Sequence, residues 1–294
     1  MVINKKCSIL VTSCDAYEDA WYPFFKLFNI MWPDCKYPVF LNTETKKYNC
    51  EYLEVNELHP KSTQLKIGKQ ISWSKRLKEV VEQIDSKYLL FFLEDFFLMS
   101  PVRSDVVEKC IDYMDKNDDV AIIDFYREPH DNQVVLEEFS YTSRSFDYAI
   151  NAMAALWRKD FLLNIIRDEN PWDFEFFGTR RWWKTDYKIL THKEEFPPVF
   201  DYKIKPALGY GIFKGKWLRN NLELFSKYNI SVDFEKRGFT DPPNMVARER
   251  ENHWLLNDIK KVVTHPSQFR HYVKCFNNVF ADKKRRFKAK YFNR

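Results

Sequence analysis

The sequence predicts an α/β protein with a mostly parallel central sheet and helices on both faces. Three observations carry this. Strand-like and helix-like segments alternate over about the first 125 residues, the pattern of a sheet wound with crossover helices. One segment, YLLFFL (88–93), is continuously apolar, which suits a strand covered on both faces. The 294 residues are 45% hydrophobic and 30% charged, an ordinary globular composition, with no internal repeat, low-complexity tract or long linker.

The elements follow in order. CSILVTS (7–13) reads as a strand ending in small polar residues. AYEDAWYPFFKLFNIMW has apolar residues at helical spacing. YPVFLNTE holds a second strand and YNCEYLEVN a short third one. WSKRLKEVVEQI is an amphipathic helix with Trp73, Leu77, Val80, Val81 and Ile84 on one face. After the apolar strand, SDVVEKCIDYMDKN is a helix with Ser104 as its expected N-cap, and VAIIDFY is a strand. In the less regular second half, DYAINAMAALWRKDFLLNIIRD reads as a strand leading into a helix. An aromatic stretch, NPWDFEFFGTRRWWK, follows it. HKEEFPPVFDYKIKPALGYGIFKGKW suits short strands and loops, and LRNNLELFSKYNI is helical.

Composition excludes several classes. The net charge of +5 is local: Lys283 to Arg294 (KKRRFKAKYFNR) holds seven cations and no acid, which leaves −2 on the rest of the chain. The body is therefore not a general nucleic-acid binder. None of the six cysteines forms a CxxC pair or a zinc-spaced Cys/His cluster. The N-terminus lacks the features of a signal peptide, and no segment reaches the roughly 18 apolar residues of a membrane span. The expectation is a cytoplasmic protein with reduced thiols. Aromatics are abundant, at 17%, and are mostly expected in a Phe-rich core, with some left to line a site for flat rings or sugar faces.

Two adjacent acids, Glu94 and Asp95, interrupt the apolar run YLLFFLEDFFLM. Burying unpaired carboxylates is costly, but in open α/β sheets ligands bind outside the carboxyl ends of the strands. Acids placed there sit at a rim, where they suit a hard divalent cation such as Mg²⁺ or Mn²⁺; the alternative is a solvated or capping turn. Other strand ends point to the same rim. Thr12, Ser13 and Asp15 follow the first strand, and their hydroxyls and carboxylate suit a nucleoside. Asn42, Thr43 and Glu44 end the second. Ser74 and Arg76 open the helix before the acidic strand, where a helix N-terminus favours anions and Arg pairs with phosphate.

In this order SCDAYEDAW, PVFLNTE, WSKRL and YLLFFLEDFFL resemble the nucleotide-sugar half of bacterial glycosyltransferases with a GT-A-type fold, of the kind encoded with capsule, lipopolysaccharide and surface-glycan genes. The resemblance covers roughly residues 7 to 220. It implies one GT-A-like domain over 1–270, with about 1–125 as the nucleotide-sugar half and about 126–270 as the acceptor half, followed by a basic helical extension over 271–294. The family's acidic motif, usually DxD, holds Mn²⁺ or Mg²⁺ on the donor diphosphate. Here that place reads Glu94-Asp95-Phe96, so its last acid is missing, and Asp95 becomes the metal ligand with Glu94 in support. The resemblance assigns Thr12, Ser13, Asp15, Asn42, Glu44, Ser74 and Arg76 to the nucleotide sugar. Lys216, beside Lys214 in GIFKGKW, would stand by the leaving diphosphate.

AINAMAALWRKDFLLNII and ENPWDFEFFG resemble the acceptor-side segment. Asp173 and Glu175 lie among aromatics, where a raised pKa makes a carboxylate a better base. Glu175 is the first choice to deprotonate the acceptor hydroxyl in an inverting reaction, and Asp173 the second. Trp172, Trp182 and Trp183 are core residues or sugar platforms. His192, unlike His130 and His253, is a remote candidate for completing a cation site. The basic, aromatic tail suits an anionic membrane surface, where a lipid-linked glycan acceptor would lie. The partners implied are thus a nucleoside-diphosphate sugar, UDP-linked by preference, and a glycan or lipid-linked glycan, with no nucleic acid. The alternatives are a sugar nucleotidyltransferase, against which SCDAYED has no glycine-rich loop for a triphosphate, and a non-catalytic glycan-binding protein.

Overall fold

Strand β4 (Tyr88–Leu93) shows how the sequence pattern becomes architecture. Its side chains alternate: Tyr88, Leu90 and Phe92 enter one apolar cluster, and Leu89 and Phe91 enter another. The strand is thus covered on both faces, and its apolar run is continuous for that reason. The computed structural model describes residues 6–64, 71–126, 130–144, 146, 148–202 and 211–241.

Before β4 come β1 (Cys7–Thr12), a 3-10 turn at Asp15–Tyr17, α1 (Glu18–Met31), β2 (Val39–Asn42), β3 (Val55–Leu58), α2 (Lys61–Gln64) and α3 (Trp73–Val81). After it come α4 (Ser104–Lys116), β5 (Val120–Asp124), β6 (His130–Leu136), β7 (Phe139–Thr142), β8 (Ala155–Arg158), α5 (Lys159–Ile165), α6 (Pro171–Trp182) and β9 (Lys188–His192). The last described elements are β10 (Ile212–Phe213), β11 (Lys216–Leu218), α7 (Asn221–Lys227) and β12 (Phe239–Thr240).

Nine strands form one sheet in the order β3-β2-β1-β4-β8-β5-β9-β7-β6. β3, β2, β1 and β4 run parallel, as do β5 and β9; β8 is antiparallel to both β4 and β5, and β7 is antiparallel to β9 and β6. Helices α1 and α4 pack on one face through Phe24, Phe28, Val107, Cys110 and Met114. Helices α3, α5 and α6 cover the other through Leu77, Val81, Phe161, Leu162, Phe174 and Trp182. This is the mostly parallel α/β sheet, sheathed on both sides, that the sequence predicts. The aromatic excess goes into this packing. Phe92, for example, meets Phe24, Phe28 and Phe200 at ring separations of 5.1–6.4 Å, and truncating such a residue to Ala costs about 3–5 kcal/mol.

The helical face expected for WSKRLKEVVEQI is the one buried, and Ser72 caps α3 by accepting the Lys75 N–H at 3.3 Å. Ser104 departs from expectation. It is the first residue of α4 rather than its cap, because its hydroxyl instead accepts the indole N–H of Trp32 at 2.8 Å. The third strand is confined to Val55–Leu58, at the sheet's edge. The stretch NPWDFEFFGTRRW is a helix, opened by Asn170, whose side chain accepts the Asp173 N–H at 2.9 Å, and by Pro171 in the first turn.

A second sheet, β10-β11-β12, lies beside the main one. Its β10–β11 hairpin turns through Lys214 and Gly215, both at positive φ (49° and 77°), as a two-residue type I′ turn requires. No helix among the described residues is long and apolar enough to cross a membrane. Cys7, Cys14, Cys35, Cys50 and Cys110 form no disulfide there. The basic 271–294 extension and His253 lie outside the described residues, as does the side chain of His130.

Candidate functional site

Strand register assembles the rim. Thr12, the last residue of β1, lies opposite Asn42 of β2 on one side and Leu93 of β4 on the other. Three chain segments therefore leave the sheet together: Ser13–Asp15, Thr43–Glu44 and Glu94–Asp95. β5 runs the same way, and its last residue, Asp124, pairs with Ala155 of β8, which on its far side pairs with Phe91. Because β8 is antiparallel, its approach segment, residues 148–154, crosses this same edge. The reversal of one strand thus brings an acceptor-side segment next to the acid pair.

Two groups of acids at the rim differ in their hydrogen bonding. Asp15 and Glu44 form a reciprocal clamp: the Glu44 carboxylate accepts the Asp15 N–H at 2.7 Å, and Asp15 accepts the Glu44 N–H at 2.9 Å. Asp15 also accepts the N–H groups of Thr45 and Lys46 and the Thr45 hydroxyl. Burial works to raise its pKa, but these hydrogen bonds outweigh it and hold the carboxyl below its ordinary value. Arg76 pairs with Glu44, and its buried Nε has no partner. The loops after β1 and β2 are thus tied to each other and to α3. Thr12 and Asn42, both fully buried, bond to one another at 3.3 Å.

Glu94 and Asp95 are the opposite case. Among the described residues no side chain donates a hydrogen bond to Asp95, and Glu94 has only the Ser13 hydroxyl and its own N–H. Burial first, and then the charge of its neighbour Asp95, push Glu94 well above the ordinary carboxylate range. Burial likewise pushes Asp95 up, against the lowering pull of its own N–H and of Arg237. The pair titrates as a unit. Cys14 lies between the two groups; burial, then the charges of Glu94 and Glu44, raise its thiol to about 11.

Sequence reasoning missed two residues here. Asp124 ends β5 as Glu94 ends β4, and the parallel between VAIID and YLLFFLE was the available signal. It is buried, which raises its pKa to about 7 although it accepts hydrogen bonds from Asn151 at 2.6 Å and from the Tyr126 N–H at 2.7 Å. Arg237 had no local signal. Its guanidinium makes a two-pronged pair with Asp19 at 2.6 Å, donates to the carbonyl of Ala16, and stacks 4.5 Å from the Tyr17 ring centroid.

The remaining candidates are placed as follows. Glu175, on α6, accepts the Ala152 N–H at 2.9 Å and the hydroxyl of Tyr148, so that Asp124 and Glu175 hold the 148–153 segment from two sides. Asp173 is buried at the start of α6 and bonded to Asn170 at 2.7 Å. Ser74 does not open toward the rim. It is fully buried, and its hydroxyl ties the carbonyls of Arg167 and Glu169 and the Glu169 N–H to α3. Lys216 is exposed on β11, next to the Lys214–Gly215 turn. His192 lies in the core beside Phe139 and bonds to Glu138 at 3.1 Å, within an Arg103–Glu138–His192 network. Trp182 is core and Trp183 half-buried, whereas Trp172 is 70% exposed.

For a divalent cation, Glu94 and Asp95 offer two adjacent carboxyl groups with which no cationic side chain is paired among the described residues. Among the described residues no group of three or more His, Cys, Asp or Glu stands ready to hold a metal. A cation held by this pair would have to draw its other ligands from solvent and from a bound anion.

No family profile matches the sequence, and no curated protein matches it. Solved structures overlap it loosely. The crystal structure of S. aureus TarS 1–349 aligns with a TM-score of 0.41 at 11% identity, over 64% of this chain and 58% of that one. The same TarS fragment in complex with UDP-GlcNAc aligns at 0.38 and 11%, over 64% of this chain and 59% of that one. A cytidylyltransferase from Leptospira borgpetersenii aligns at 0.41 and 10%, over 65% of this chain and 76% of that one. The chain thus spans less than two thirds of the TarS fragment. Overlaps this loose assign no activity, and the functional reading rests on the rim itself.

Proposed function

We propose that the protein is a glycosyltransferase that moves a sugar from a nucleoside-diphosphate sugar, UDP-linked by preference, to a hydroxyl of a glycan or lipid-linked glycan used in surface polysaccharide. The observation that carries the reading is the register that gathers the ends of β1, β2 and β4 at one edge, with an acid pair among them, Glu94 buried and Asp95 half-buried, that has almost no donors among the described residues. Asp95, supported by Glu94, would hold Mn²⁺ or Mg²⁺, which when bound would offset charge on the diphosphate leaving group. The loops of Ser13–Asp15 and Asn42–Glu44, with Arg76, would cradle the nucleoside, and Lys216 would stand by the diphosphate.

Glu175 is assigned as base. The acceptor hydroxyl oxygen attacks the anomeric carbon, and the bond from that carbon to the phosphate oxygen breaks with its electron pair leaving on the nucleoside diphosphate. The hydroxyl proton passes to Glu175, whose orientation the Ala152 N–H and the Tyr148 hydroxyl fix. Inversion at the anomeric carbon follows from this single displacement. The basic tail would bring the enzyme to the anionic cytoplasmic face of the membrane, where a lipid-linked acceptor lies.

A thermal-shift panel of nucleotides and nucleotide sugars, with and without Mn²⁺, tests the reading. A ligand at a hundred times its Kd adds about 2.7 kcal/mol of stability. UDP should raise the melting temperature, more so with Mn²⁺, and UDP-sugar should be turned over slowly to UDP. A flat response across the panel overturns the reading. Release of pyrophosphate from CTP and a free sugar would replace it with a nucleotidyltransferase.

A further inference from the structure

We propose that Arg237, supplied by the chain after α7, is a diphosphate-binding cation of this rim. The inference rests on the nucleotide-sugar reading above and adds to it a residue for which the sequence carried no signal.

Two lines of geometry place Arg237. On one side it is locked to the segment that leaves β1, through the Asp19 carboxylate at 2.6 Å, the Ala16 carbonyl and the Tyr17 ring. On the other it reaches the tip of the β10–β11 hairpin, where Nη1 lies 3.5 Å from the Gly215 carbonyl. That hairpin is itself joined to the acid turn, because the Gly211 N–H donates to the carbonyl of Asp95. Arg237 therefore stands between the β1 loop and the hairpin, near enough to Glu94 and Asp95 for its charge to act on both.

The use of its donors points the same way. Nε and Nη2 are occupied by Asp19 and Ala16, while Nη1 has only the long contact to Gly215. A guanidinium that served solely as a latch would need only the fork to Asp19. Here one amino group stays lightly used beside an acid pair suited to a cation. The local charge favours such a group: among the described residues Asp15, Asp19, Glu44, Glu94 and Asp95 stand at the rim against Arg76 and Arg237, while Lys46 and Lys236 both pair with Glu18. Both guanidinium groups have an acid partner, Arg76 in Glu44 and Arg237 in Asp19, but of these two described residues it is Arg237 that also reaches the hairpin joined to the acid turn, where it would face phosphate oxygens beside a metal at Asp95. Guanidinium meets phosphate in the fixed fork geometry that lysine lacks.

The test compares UDP with uridine, which lacks the diphosphate, on the full chain in Mn²⁺ buffer. Arg237→Gln should weaken UDP about tenfold, the scale of one charge-assisted hydrogen bond, and change uridine less than about twofold. Arg237→Lys, which keeps the charge without the fork to Asp19, should show a smaller loss, also specific to UDP, and it replaces Arg237→Gln if that variant does not fold. Equal weakening of UDP and uridine, or UDP affinity unchanged in both variants, overturns the proposal while leaving the nucleotide-sugar reading intact. A wild-type protein that binds no nucleoside diphosphate overturns both.

Discussion

Two sets of carboxylates share one sheet edge and are treated in opposite ways. Asp15 and Glu44 accept backbone N–H groups, a hydroxyl and a guanidinium, and they hold two loops in place. Glu94 and Asp95, which follow β4 beside β1 in the sheet, are buried and half-buried respectively, with almost no donors among the described residues. Asp15 and Glu44 spend their lone pairs tying two loops together, so at this edge they act as architecture. An acid desolvated without donors costs stability, and a protein keeps it where something else is to supply the positive charge.

The comparison can be broken in graded steps. The largest effect belongs to Glu175→Gln, which should lower turnover about 10²–10⁴-fold, with UDP affinity kept; unchanged turnover of UDP-sugar onto acceptor would remove Glu175 from the base role. Asp95→Asn should cost about 10²–10³-fold in turnover and abolish the Mn²⁺-dependent part of the UDP thermal shift. Its ligand-free melting temperature should hold or rise, because a buried like-charge repulsion disappears. A large fall in melting temperature would mean that the pair is structural after all. Asp15→Asn should do the reverse, losing about 1 kcal/mol of stability in urea unfolding, because three backbone N–H groups, part-buried or exposed, lose a charged acceptor; full stability would show that the clamp is slack.

Protonation separates the two sets as well. Asp15 has a depressed folded pKa, so its contribution is present above the unfolded value near 3.8 and is lost as pH falls through the folded one. Asp124 is raised from 3.8 to about 7, so the fold is relatively more stable below pH 4 on its account and loses that advantage as pH rises toward 7. Asp124→Asn should flatten the decline in stability between pH 4 and 7 measured by urea unfolding, and an unaltered slope would place the titration elsewhere. The smallest effect is that of Ser74→Ala, about 1 kcal/mol of stability with nucleotide binding untouched; a loss of UDP affinity beyond that of stability would return Ser74 to the site.

The sheet and most of its rim were legible because they are written in local pattern. Alternating segments, a doubly buried run at β4 and polar strand ends at Ser13, Asn42 and Glu94 need only the periods of strands and helices. What was illegible depends on distant partners. Ser74 reads as an exposed helix start until residues 167–169, over 90 positions later, arrive to occupy its hydroxyl. Ser104 reads as a cap until Trp32 takes its oxygen. Arg237 sits in FEKRGF, an ordinary charged turn by composition, and finds Asp19 218 residues upstream. Asp15 follows β1 as the pattern predicts, but the sequence could not show that its lone pairs were already in use.

Gly211 has a consequence beyond its own turn. A methyl group there would come within 2.0 Å of the Phe97 ring, two residues past the acid pair. The small sheet therefore rests directly on the aromatic floor behind Glu94 and Asp95, with no side chain as spacer. The same residue donates its N–H to the carbonyl of Asp95, so a bulkier side chain at 211 would have to push aside either the Phe97 ring or the hairpin that is tied to the acid turn.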